Sequence, residues 1–154
     1  MSSLNPLTIN NQPSTILVAG GGGFIGSFVC ERLLAEGHLV VCVDNFLTGQ
    51  RKNIEHLLHA SRFTLVEADV TDPQSVKRKA LSEKFDYILH LASPAGPNPK
   101  SPKSYHALPV ETYLVNSIGT HYLLQLAKKT GAKLLFASTS EIYGKSNKVP
   151  FTEE

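Results

Sequence analysis

The stretch Ile16-Leu17-Val18-Ala19-Gly20-Gly21-Gly22-Gly23-Phe24-Ile25-Gly26-Ser27 constrains this chain more than any other. Four apolar residues read as a buried strand. After the glycines, Phe24, Ile25, Phe28, Val29, Leu33 and Leu34 recur at helical spacing, so strand, glycine turn and helix follow in that order. Gly20, Gly23 and Gly26 stand three apart, a variant of the commoner G-x-G-x-x-G pattern. Gly20 would let the chain turn sharply off the strand, Gly23 would let the backbone approach a phosphate, and Gly26 would let the helix pack close to the sheet. The unpaired amides and positive dipole end of that helix are where a pyrophosphate would sit. A glycine run alone reads equally as a flexible turn. The second half of the signal is Asp44, at the end of the apolar run Leu39-Val40-Val41-Cys42-Val43. An acidic side chain there can accept hydrogen bonds from the adenosine ribose hydroxyls and would repel a 2′-phosphate, which favours NAD over NADP.

A chain of 154 residues suits one domain with a sizeable core. With 42% hydrophobic and 18% charged residues, it has the composition of a globular protein. The formal net charge is +2 and the basic residues are scattered, so neither nucleic acid nor a membrane surface is implied as a partner. No apolar stretch approaches the roughly 20 residues of a membrane span. Residues 1–14 are polar and lack the apolar core of a signal peptide, so they read as a disordered tail before a folded domain over 15–154, in a cytoplasmic protein. Cys30 and Cys42 read as small buried apolar residues rather than redox or metal groups. His56 and His59 lie three apart, but no cysteine or carboxylate completes a metal set around them, so they read as solvated.

Further along, the spacing predicts a short helix over Lys52–His59, a strand over Phe63–Ala68, a helix capped by Asp72 and opened by Pro73 that runs to about Glu83, and a strand over Asp86–Leu91. Residues 92–108, with the boundary residue Pro109, contain prolines at 94, 97, 99, 102 and 109, with Lys100 and Lys103 between them. Such a segment can be neither helix nor inner strand, and it leaves the carboxyl end of a strand, where open α/β sheets bind ligands. A long helix from Val110 to about Thr130, ended by Gly131, and a strand over Lys133–Ser138 complete the series. Strand and helix alternate throughout. The fold class is therefore α/β, a Rossmann-type doubly wound parallel sheet of order 3-2-1-4-5 with right-handed crossovers.

With these residues in view the chain resembles the extended short-chain dehydrogenase/reductases, the NAD-dependent nucleotide-sugar epimerases and dehydratases. The match is carried by the glycine stretch, Asp44-Asn45-Phe46-Leu47-Thr48-Gly49, His90-Leu91-Ala92-Ser93-Pro94-Ala95, Asn116-Ser117-Ile118-Gly119-Thr120, and Ser138-Thr139-Ser140-Glu141-Ile142-Tyr143-Gly144. Within the family these stretches are most similar to the UDP-glucuronate decarboxylases. The resemblance implies that Gly20, Gly23, Phe24 and Ile25 line the pyrophosphate of NAD. Asp44, Asn45, Thr48 and Gly49 would hold the adenosine ribose and nearby phosphate, and Asp69 and Val70 would flank the adenine. Leu91, Ala92 and Ser93 would pass beneath the cofactor, with Ser138 near the nicotinamide. Thr139 would bond the sugar hydroxyl or ketone that exchanges hydride, and Glu141 would be the neighbouring acid or base. Ser140 stands where dehydratases usually carry Asp and decarboxylases carry Ser, which favours decarboxylation over loss of water. A UDP-sugar is the implied substrate, and family members are usually homodimers. Taken singly, Ser138 to Ser140 read as a polar strand end, Glu141 as an acid at a helix start and Asp69 as a solvated loop residue.

The chain also departs from the family. The family base is a Tyr followed four positions later by Lys, and none of Tyr87, Tyr105, Tyr113, Tyr122 and Tyr143 has that partner. The motif would fall beyond Glu154, as would the last strands and the substrate domain, so the reading is of the N-terminal part of such an enzyme. The segment Gly96–Leu108 looks several residues longer than its decarboxylase counterpart. Two alternatives stay open: a sugar-nucleotide 4,6-dehydratase or 4-epimerase parent, and a dinucleotide-binding module without turnover. The fifth strand is expected to have no neighbour on its outer side, which would leave the chain marginally stable or paired through that edge.

Overall fold

Five short, mostly apolar runs form the sheet; the three inner ones are largely buried, while the two outer ones keep exposed positions. The computed structural model describes residues 12–72, 74, 84–145 and 150–151. In chain order the strands are β1 (Thr15–Ala19), β2 (Leu39–Asp44), β3 (Phe63–Glu67), β4 (Tyr87–His90) and β5 (Lys133–Phe136). All pairings are parallel and the order is β3-β2-β1-β4-β5. This is the expected doubly wound arrangement. Between β1 and β4 the connections change direction, which opens a crevice at the carboxyl ends of those strands.

One face of the sheet packs Ile16, Val18, Val40 and Cys42 against Cys30 and Leu33 of helix α1 (Phe24–Ala35) and against Ile54 and Leu57. The other face packs Leu17, Ala19, Val41, Val43, Val66 and Ile88 against Leu123, Leu126 and Ala127. A fully buried Ile or Leu of this kind contributes roughly 1.5–3 kcal/mol of transfer free energy, and Ile16, Leu17 and Ile88 are fully buried. Ser14 is also buried, its amide bonded to His38 Nδ1 at 3.2 Å and its carbonyl accepting from Leu39.

Several elements differ from the expectations set by spacing alone. In place of a helix over Lys52–His59 there are two 3-10 turns, Arg51–Asn53 and Glu55–Leu57, broken at Ile54, whose ψ of 5° is not helical. Tertiary demands override helical propensity there: Ile54 and Leu57 turn into the core, while Asn53 Nδ2 and the Gln50 amide both donate to the Gly22 carbonyl, at 2.9 and 3.0 Å. The long helix after the proline-rich segment is also not continuous. It consists of α2 (Pro109–Leu114), a π-turn (Val115–Gly119) and α3 (Thr120–Thr130), closed by Gly131 in the left-handed conformation. The wider turn brings the buried Gly119 against Val70, where an added Cβ would lie 3.0 Å from Val70 Cγ2.

The apolar residues that open α1 do not reach the core either. Phe24 is 78% and Phe28 61% exposed, and they edge-stack on one another beside an apolar groove that runs toward Leu89, Leu134 and Leu135. Helical spacing identifies the stripe without saying what covers it. The helix expected from Pro73 to Glu83 lies outside the described residues except at Gln74, whose amide donates to Asp72 Oδ1 at 2.9 Å as an N-cap contact. The tail expected over residues 1–14 lies outside them as far as residue 11.

Candidate functional site

The site is built by the glycine loop between β1 and α1. Gly20 has φ of +85°, and a Cβ there would lie 2.6 Å from the Ala92 nitrogen. At Gly26 a Cβ would fall 2.1 Å from the Gly20 carbonyl oxygen, so the first turn of α1 packs directly on the start of the loop. Neither position tolerates a side chain without moving backbone. α1 begins at Phe24 with Gly23 as its N-cap, no capping side chain and no acidic residue in the first turn. Its leading amides and positive dipole end are therefore left for an anion.

Asp44 closes the second wall. Its carboxylate is only 8% exposed and accepts from the Gly22 amide through Oδ2 at 2.8 Å and from the Phe46 amide through Oδ1 at 2.7 Å. Burial pushes the Asp44 carboxyl up from its ordinary range, and the amides of Phe46 and Gly22 pull it part of the way back. Phe46 itself has φ of +56°, a strained conformation for a non-glycine residue that the bond from its amide to Asp44 helps to hold.

Asn45 donates to Asp69 Oδ2 at 2.9 Å and accepts from the Leu47 amide at 3.0 Å, which ties the ends of β2 and β3 together. Asp69 also accepts from the Thr71 amide and hydroxyl at 2.8 and 2.7 Å. Burial alone would raise the Asp69 carboxyl, but the bonds from Thr71 and Asn45 outweigh it and hold the group below the usual carboxylate range.

On the β4 side Ser93 Oγ accepts from Asn116 Nδ2 at 2.9 Å, so the π-turn reaches the crevice. His90, 1% exposed at the end of β4, has its Nε2 at 3.3 Å from the Val115 carbonyl and its ring edge-on to Phe136. A carbonyl only accepts, so this contact requires the Nε2–H tautomer. His90 Nδ1 is buried with no partner among the described residues. Burial lowers the His90 pKa, and the Val115 carbonyl offsets part of that shift.

Of the residues expected to hold a cofactor, Gly20, Gly23, Asp44, Asn45, Thr48, Gly49, Asp69, Val70, Leu91, Ala92 and Ser93 line one crevice. Phe24 and Ile25 stand at the start of α1 with exposed side chains and do not line it. Ser138, Thr139, Ser140 and Glu141 are not in the lining either. The Ala137 amide donates to the His90 carbonyl at 3.1 Å, so this segment leaves the sheet beside Leu91, at the same carboxyl edge as the crevice. All four residues are exposed, and Thr139 Oγ1 caps the 3-10 turn Ser140–Tyr143 by accepting from the Glu141 amide at 3.3 Å. The lining also includes Thr71, Glu111, Leu114 and Val115, which sequence reasoning missed. Thr71 was accessible as the residue two beyond Asp69. Glu111 and Val115 reach the crevice through the way α2 and the π-turn dock, which no local pattern encodes. Among the described residues no three His, Cys, Asp or Glu side chains form a metal-binding cluster, and no helix is long and apolar enough to cross a membrane.

The chain is similar in sequence and fold to known proteins. The family profile described as GDP-mannose 4,6 dehydratase matches residues 17–154. The UDP-glucuronic acid decarboxylase 1 of Xenopus tropicalis is 44% identical over 139 residues, which cover 90% of this chain and 30% of that enzyme. The chain thus spans about a third or less of the length of such curated relatives. Among solved structures, the Bordetella bronchiseptica enzyme WbmG in complex with NAD is 30% identical with a TM-score of 0.72, covering 94% of this chain and 44% of that one. The UDP-glucose 4-epimerase of Thermus thermophilus in complex with NAD is 32% identical with a TM-score of 0.73, covering 91% and 42%. The glycine loop, the carboxylate that braces it and the parallel sheet that carries both accordingly have a family: the chain belongs to the extended short-chain dehydrogenase/reductases that act on nucleotide sugars, the family described by GDP-mannose 4,6 dehydratase.

Proposed function

We infer that this chain is the NAD-binding part of an enzyme that remodels a nucleotide sugar, and that the reaction is decarboxylation of UDP-glucuronate. The observation that carries the reading is the single crevice joining the glycine loop, Asp44, the Asn45–Asp69 pair and Leu91 to Ser93. Its residues suit a dinucleotide: free amides at the start of α1 for the pyrophosphate, and a carboxylate fixed at the end of β2 for ribose hydroxyls. Bound there, NAD would supply a hydride acceptor for C4 of the sugar.

The remaining roles belong to the segment after β5. Thr139 would bond the oxygen at C4, Glu141 would exchange a proton beside it, and Ser138 would stand near the nicotinamide. A C4 ketone in UDP-glucuronate is β to the C5 carboxylate, so carbon dioxide can leave with its electrons delocalised into the carbonyl. Ser140, where an Asp would suit loss of water, supports decarboxylation, as does the 44% identity to a UDP-glucuronic acid decarboxylase. The likeness to a UDP-glucose 4-epimerase supports a second reading, in which the same cofactor site serves epimerisation or dehydration at the sugar. A third reading, a dinucleotide-binding module without turnover, keeps the same crevice but leaves Thr139 and Glu141 without a role, which supports the enzyme reading over it.

Isothermal titration of the purified chain with NAD and NADP, beside Asp44→Ala, tests the cofactor reading. NAD binding that exceeds NADP binding and weakens in the variant supports it; a folded chain that binds neither overturns it. Turnover of UDP-glucuronate when the chain is supplied with a complementing segment that carries the Tyr-Lys pair separates the enzyme from the module.

A further inference from the structure

We propose that Lys103, on the proline-rich segment after β4, is a phosphate-binding residue of the crevice, placed there by a loop that folds back over the Asp44–Gly49 turn. The inference rests on the dinucleotide reading and adds to it a residue outside the glycine loop. Charge balance motivates it. Among the described residues, the crevice lining contains three carboxylates, Asp44, Asp69 and Glu111, and no lysine or arginine. A nucleoside diphosphate brings further negative charge, against which the end of α1 offers only about half an elementary charge. A cation is needed at the rim.

Two cations contact the turn that follows β2, Arg51 through Phe46 and Lys103 through Thr48. Arg51 is committed: its guanidinium pairs with Glu67 and lies over the Phe46 ring, 4.9 Å from the centroid. Lys103 is not. Its Nζ donates to the carbonyl of Thr48, a lining residue, at 3.1 Å, and among the described residues no carboxylate lies within ion-pair distance of it. An ammonium has three donors, so two remain for an anion beside Thr48.

The loop is braced to present this group. The Tyr105 amide donates to the Gly96 carbonyl at 3.3 Å across a parallel bridge between Gly96 and Ser104. Ser104 is fully buried, takes its amide to the Ser101 carbonyl at 3.1 Å and accepts from Leu108 at 3.0 Å. The Lys103 amide itself bonds Ser101 Oγ at 3.3 Å, and Pro97, Pro99 and Pro102 restrict the backbone leading up to it. A preorganised ammonium loses less freedom on binding than one on a loose loop, which is why a lysine beyond the sheet edge can matter here.

Titration of the chain with ADP and with adenosine, followed by NMR chemical shifts at low and high salt, tests the assignment in wild type, Lys103→Gln and Lys103→Arg. Roughly tenfold weaker ADP binding in the glutamine variant, a flatter salt dependence, unchanged adenosine binding and recovery by arginine are expected. A loop with a merely structural role would shift ADP and adenosine together, and that result overturns the proposal, as would equal ADP affinity in wild type and Lys103→Gln or no ADP binding at all. If ADP binds through Lys103 while NAD does not bind, the NAD reading falls and the phosphate site stands.

Discussion

The Asp44 carboxylate accepts a hydrogen bond from the Gly22 amide at 2.8 Å, so the end of β2 and the glycine loop after β1 are locked to each other before any ligand arrives. The bond lies behind the crevice wall, where Asn53 and Gln50 also hold Gly22 through its carbonyl. Gly22, in a loop of four consecutive glycines, is thereby held by three outside residues.

Removing that carboxylate should cost both stability and binding. Asp44→Ala leaves the Gly22 and Phe46 amides without an acceptor in a buried setting, a loss of about 1–3 kcal/mol. Chemical denaturation should show the lowered midpoint, and on the proposed ribose contact, worth about 1.4 kcal/mol, titration should show NAD affinity reduced by about tenfold. Asp44→Asn keeps one acceptor and should fall between the two. Wild-type stability in the alanine variant would disprove the bracing role.

Gly26 and Gly131 should differ sharply in their response to alanine. At Gly26 the new methyl would fall 2.1 Å from the Gly20 carbonyl oxygen, and backbone cannot yield as a side chain can, so the cost should exceed the ~1–3 kcal/mol of ordinary overpacking. At Gly131 nothing lies within 4 Å, and only the left-handed φ of +75° penalises alanine, by about 1 kcal/mol. Thermal melts of the two variants side by side would show the difference, with Gly26→Ala failing to give a cooperative transition.

His90 should make the fold sensitive to mild acid. Its folded pKa is lowered from the ordinary 6.5 by burial, so below about pH 6.5 the unfolded chain takes up a proton that the folded one resists. The stability contribution is complete above that pH and is lost as pH falls toward the folded value. His90→Leu removes the titration, so the stability difference between wild type and variant, measured from pH 7.5 to 5.5, should shift in favour of the variant as pH drops. A difference that stays constant with pH would exclude His90 as the titrating group.

The outer side of β5 is unpaired among the described residues, with Leu135 and Phe136 each 40% exposed. Strand edges of this kind pair with one another. Sedimentation velocity over a range of concentrations should reveal self-association, and Leu135→Lys should reduce it. A monodisperse monomer at every concentration would contradict this expectation.

The glycine spacing, the strand runs and the acid after the second strand were legible without a structure because each is a local pattern set by backbone sterics or by alternation of apolar residues. The parallel order β3-β2-β1-β4-β5 followed from the alternation of strand and helix, since right-handed crossovers leave few other solutions. Of the crevice residues, Gly20, Gly23 and Asp44 were legible from these local patterns, and Asn45, Thr48, Gly49, Asp69, Val70 and Leu91 to Ser93 from the family resemblance.

What local pattern could not supply was anything decided by docking. Ile54 breaks a helix that its neighbours would otherwise form, because the core takes Ile54 and Leu57 while Gly22 takes Asn53. The π-turn at Val115–Gly119 brings Asn116 to Ser93 and Val115 to His90 across 23 and 25 residues of sequence. Lys103 reaches Thr48 across 55. The sequence determined the sheet, its order and the glycine loop, because those rest on steric rules that act between near neighbours. Only the tertiary structure decided which side chains brace the loop and which charge stands at its rim, because such contacts join residues whose separation along the chain says nothing about their distance in space.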